Sequence, residues 1–178
     1  MTDRGFEWLT LAFVQSAALR KGNPGVSELF GLGPCDLTFA IMRKLYWLSA
    51  LHKVDTFFQG LYHYRAFRFE IKDSWAMFTS PTQPWFDEMP LLHETAKEAA
   101  RWARKPFRCD IAVIYPQREV GACEILRTPA PDLPNLCREL TWRQLTYRLV
   151  EEDESTDGMS AVLDWEGTRL CDRVSGTR

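Results

Sequence analysis

The sequence has no excess of either charge. Against 22 Lys and Arg stand 24 Asp and Glu, a formal net charge of -2 over 178 residues. A near-neutral chain lacks the electrostatic footprint that nucleic acid or an anionic membrane surface requires. Closely spaced cysteines are also missing. Cys35, Cys109, Cys123, Cys137 and Cys171 are odd in number, and no two are closer than fourteen residues. There is no Cys-x-x-Cys and no Cys/His cluster at zinc spacing. The set reads as free thiols of a reducing, cytoplasmic compartment. Cys109 and Cys137, on apolar faces, read as small buried hydrophobes. No long apolar run occurs. The longest, Trp8 to Leu19, is broken by Thr10, Gln15 and Ser16, which is too short and too polar for a membrane span. Asp3 and Glu7 occupy the place where a signal peptide carries positive charge.

Several catalytic and cofactor signatures are absent as well. Gly31-Leu32-Gly33 precedes a helical pattern but lacks the third glycine of a dinucleotide fingerprint and the Lys-Ser/Thr of a phosphate loop. No serine sits in a nucleophile elbow. Cys123 has Glu119 and Glu124 nearby, which disfavour a thiolate. The run Glu151-Glu152-Asp153-Glu154 has no turn glycine at calcium-loop spacing and reads as a solvated strand end. No metal and no cofactor is expected.

What is present is a globular composition, with 46% apolar, 26% charged and 13% aromatic residues. The length suits one domain with a remainder, or two incomplete ones. Residues 8–19 read as a strand or a short helix, because periodicity does not separate the two. Gly22-Asn23-Pro24-Gly25 is a loop, and Val26 to Phe30 is a short apolar run carrying one acid, Glu28. Asp36 is a candidate N-cap for a helix through His52, with Leu37, Ile41, Leu45 and Leu48 at helical spacing. Val54 to Leu61 reads as a strand, and Arg65 to Pro84 as a long loop.

A second helix is expected over 87–104, with Leu92, Ala96, Ala99 and Ala103 on one face and Pro106 at its end. Asp110 to Pro116 is a continuous apolar run, the pattern of a strand buried on both faces of a parallel sheet. A third helix follows over 132–145, then a strand at Tyr147 to Val150. A hairpin is expected around Glu166-Gly167, and the tail 173–178 reads as frayed. This alternation predicts an α/β chain with mainly parallel pairing. The best boundary is Lys105-Pro106.

In α/β folds ligands sit at the carboxyl ends of strands. Two candidates lie there: Glu28, and the cluster Tyr62-His63-Tyr64, whose aromatic faces could stack on a sugar. Each has a plain structural alternative, an exposed loop acid and a satisfied rim cluster.

Three segments in order resemble large bacterial glycoside hydrolases of the α-L-rhamnosidase-like and β-galactosidase-like type. Ser27-Glu28-Leu29-Phe30-Gly31, followed by a helix and Lys53 to Phe58, resembles late strands of the catalytic barrel. Leu61-Tyr62-His63-Tyr64-Arg65, with Lys72-Asp73-Ser74 and Gln83-Pro84-Trp85-Phe86, resembles the loop after the last strand. Asp110 to Pro116 and Leu145 to Val150 resemble the start of a glutamine-amidotransferase-like, flavodoxin-like domain. The likeness covers about residues 12–155. It implies that residues 1–105 are the C-terminal part of a (β/α)8 barrel and that 106–178 begin a truncated flavodoxin-like parallel-sheet domain. It also implies that Glu28 is one of two catalytic carboxylates, and that Tyr62, His63 and Tyr64 line a sugar subsite.

Such hydrolysis needs two flanking carboxyl groups, and a complete barrel needs about 250 residues. The second acid, from an earlier strand in the family, is absent here. The chain is therefore expected to be a fragment or relic, inactive alone, with exposed strand edges that favour self-association. The alternative is a non-catalytic α/β binding or assembly module. A small flavodoxin-like enzyme is a third reading, though no flavin- or phosphate-binding loop is visible.

Overall fold

The structure, a computed structural model, describes residues 6–29, 38–59, 85–166 and 169–172. In chain order its elements are helix α1 (Phe6–Lys21), strand β1 (Gly25–Leu29), helix α2 (Phe39–Leu51), strand β2 (Val54–Gln59), helix α3 (Met89–Ala103), strand β3 (Ile111–Ile114), helix α4 (Gln117–Leu126), helix α5 (Leu133–Trp142), and strands β4 (Tyr147–Val150), β5 (Ala161–Glu166) and β6 (Arg169–Asp172). The chain is a mixed α/β protein. It divides into two compact units, one of residues 22–105 and one in which α1 joins the residues from Pro106 onward. The Lys105-Pro106 junction is thus one boundary, and a second lies between Lys21 and Gly22. The grouping of α1 with later residues differs from the expected division, in which residues 1–105 formed one domain.

In the split unit the sheet order is β4-β3-β5-β6. β3 pairs in parallel with both β4 and β5, and β6 closes the sheet as the antiparallel arm of the hairpin. The central strand β3 is buried at Ala112, Val113 and Ile114, as a strand covered on both faces must be. One face packs Val113, Tyr147 and Leu149 against Ala12 of α1 and Leu133, Cys137 and Leu140 of α5. Asp132 caps α5 by accepting from the Asn135 N–H at 3.3 Å. The other face, Ala112, Ile114, Val150 and Val162, is covered by Met159 in the connection from β4 to β5.

Residues 8–19 resolve as helix. Trp8 and Ala12 contribute to the core, and Gln15 and Ser16 are buried on the same side one turn later. These two polar residues pair with the edge of the sheet. The Ser16 hydroxyl accepts from the Leu149 N–H and donates to the Ala12 carbonyl, both at 2.7 Å. The Gln15 amide donates to the Tyr147 carbonyl. Two outward-facing backbone groups of β4 are therefore paired by side chains of α1, one of the ways a sheet covers an edge.

Helix α4 was not expected from the sequence. It has Gly121 in its middle and no buried residue, and Val120 alone of its residues packs against the core. No apolar stripe announces it. It ends in a left-handed turn at Arg127, φ 54°.

In the 22–105 unit β1, α2 and β2 form a parallel βαβ unit. Thr38 caps α2 through its hydroxyl, which accepts from the Ile41 N–H; the expected cap, Asp36, lies outside the described residues. Met42, Tyr46 and Ala50 of α2 pack on Leu92, Ala99 and Ala103 of α3 and on Trp85. Leu29 of β1 and Phe57 of β2 lean on this core. Pro90 in the first turn of α3 fits a position that needs no N–H partner.

Candidate functional site

Glu28 occupies the penultimate position of β1 and is exposed. Alternation along the strands separates two faces of the pair. Ser27, Leu29, Asp55 and Phe57 belong to the helix side; Val26, Glu28, Thr56 and Phe58 belong to the outer side. Glu28 lies in register with Phe58. Val26 and Phe58 are 64% and 66% exposed, so Glu28 stands among open apolar side chains. The carboxylate that β2 contributes, Asp55, faces the other way. Its side chain is 10% exposed and is held by Arg104 Nε at 2.6 Å and by the Thr56 hydroxyl at 2.8 Å. β2 therefore offers no second carboxylate to the Glu28 face. Tyr62, His63 and Tyr64 lie outside the described residues.

One concavity of this unit, among the described residues, lies between β2 and α3. It is an open groove of about 510 Å³ lined by Asp55, Thr56, Phe57 and Phe58 from the strand, His93, Ala96, Lys97 and Ala100 from the helix, and Tyr46 from α2. Four consecutive strand residues, from both faces, border it. A hollow on one face would show alternate residues, so the groove follows the strand's edge. β1 contributes nothing to the lining, which places the groove along the edge of β2 away from its partner. Ala96 and Ala100, one turn apart, keep the helix side shallow. Tyr46 and Phe57 meet edge to face at 4.8 Å between ring centres. Lys97 is at the rim, where its Nζ meets Glu94 at 2.6 Å.

The periodicity of α3 was legible, but it pointed to the core stripe of Leu92, Ala96, Ala99 and Ala103, of which Ala96 also borders the groove. The neighbouring stripe of His93, Ala96, Lys97 and Ala100 carries no signature of its own, and only its placement beside β2 makes it a candidate site.

The carboxyl end of the four-stranded sheet, where an α/β ligand would be sought, is filled by the protein itself. The Trp165 indole donates to the Ile114 carbonyl at 3.1 Å, and Tyr115 packs edge-on against Phe13. The acidic run after β4 does more than face solvent. Glu154 pairs with Arg20 at 3.1 Å and with Arg148 at 3.2 Å, and Arg148 also donates to the Ser155 carbonyl. This network clasps the β4–β5 connection.

His52, which ends α2, is 2% exposed, and neither ring nitrogen has a hydrogen-bond partner. Burial lowers its pKa from 6.5 to about 4, so it is a neutral imidazole and it does not border the groove. Cys109, Cys123, Cys137 and Cys171 are free thiols. Burial pushes Cys137 up to about 11, which removes it as a nucleophile. Cys35 lies outside the described residues.

Among the described residues no group of three or more His, Cys, Asp or Glu is arranged to hold a metal ion. Among them, too, no helix is long and apolar enough to cross a membrane. No family model, no curated protein and no solved structure matches this chain.

Proposed function

We propose that this chain is a non-catalytic α/β binding module whose working surface is the groove between β2 and α3. One observation carries the reading: an open concavity runs along a strand edge, lined by aromatic and small side chains with a cation at its rim. The polar groups near it suit recognition better than bond cleavage. Asp55 is neutralised by Arg104, and the exposed Glu28 has no carboxylate facing it from β2.

A second reading is favoured by one specific observation. Glu28 sits near the carboxyl end of the first strand of a parallel βαβ unit, the place where a catalytic barrel carries its acids. Under that reading β1 and β2 are late strands of a (β/α)8 barrel, Glu28 is one of two carboxylates, and the later sheet begins a flavodoxin-like domain.

The same experiment separates the two. The full chain and Glu28→Gln are assayed for turnover of nitrophenyl glycosides and for melting-temperature shifts with rhamnose, galactose and fucose. The module reading expects no turnover and no selective shift. Turnover, or a sugar-specific shift, that Glu28→Gln abolishes overturns it in favour of the hydrolase.

A further inference from the structure

We draw no further inference here: the strongest candidate, the solvent-facing apolar end of α4, where Ile125 and Leu126 are 81% and 69% exposed on a helix that buries none of its residues, carries nothing because nothing in the structure shows what covers it.

Discussion

His52 and Ser16 are both buried polar side chains, and the fold treats them oppositely. Ser16 uses its hydroxyl twice, as acceptor from Leu149 and as donor to Ala12. His52 uses neither nitrogen. A buried polar group without a partner costs stability, and for an imidazole the cost depends on pH. The native pKa of about 4 lies below the ordinary 6.5, so between these values the unfolded chain binds a proton that the native chain does not. Stability therefore falls as pH falls through this window, by roughly 3 kcal/mol at its acid end. His52→Leu should remove that component and be neutral or stabilising near neutral pH. Urea midpoints of both proteins at about pH 7 and about pH 4.5 check this; an equal drop in the two would show that His52 is not responsible. Neither role was legible in the sequence. Gln15 and Ser16 looked like interruptions of an apolar run, because a buried hydrogen bond to a strand more than a hundred residues away leaves no local pattern.

Elements with a strong local period were legible, and those whose existence depends on distant partners were not. The run Ile111 to Ile114 and the stripe of α3 follow from alternation and helical spacing. α4 has no stripe to read, since it buries nothing. The connection from β4 to β5 is the instructive case. It joins two strands that both run parallel to β3, so it must return across a sheet face without a helix of its own. It does so by covering apolar side chains with Met159 and by the clasp of Glu154 on Arg148 and Arg20. Arg148 and Glu154 are only 18% and 21% exposed, so removing one charge leaves the other poorly solvated. Glu154→Gln should cost about 1–3 kcal/mol and open residues 151–160 to protease before the rest of the unit. Thermal melting and limited proteolysis with mapping of the first cut check both. An unchanged melting temperature with no new cut would show that Met159 alone holds the connection.

The molecule is assembled from a contiguous unit and one that the chain leaves and re-enters. α1 supplies Ala12 to the core of the split unit and the two polar side chains that pair with the edge of β4. A chain beginning at Gly22 should therefore lose the hydrogen-exchange protection of β3 and β4, while amides of α2 and α3, whose core lies within residues 22–105, keep theirs. Exchange mapped by mass spectrometry checks this, and retained protection in β3 and β4 would show that α5 alone suffices. The sequence by itself determined the α/β class, the turn and proline punctuation, the boundary at Lys105-Pro106 and most elements, because these depend on periodicity and on neighbours a few residues away. It also supplied Glu28 as a candidate acid, without saying what faces it. Only the tertiary structure decided that residues 8–19 are helix, that α1 belongs with the later sheet, that Glu28 stands on an open face beside Phe58, and that the edge of β4 is paired with α1 side chains while β2 borders a groove. These are matters of which surfaces meet, and contacts between residues far apart in sequence carry no mark in the order of residues along either segment.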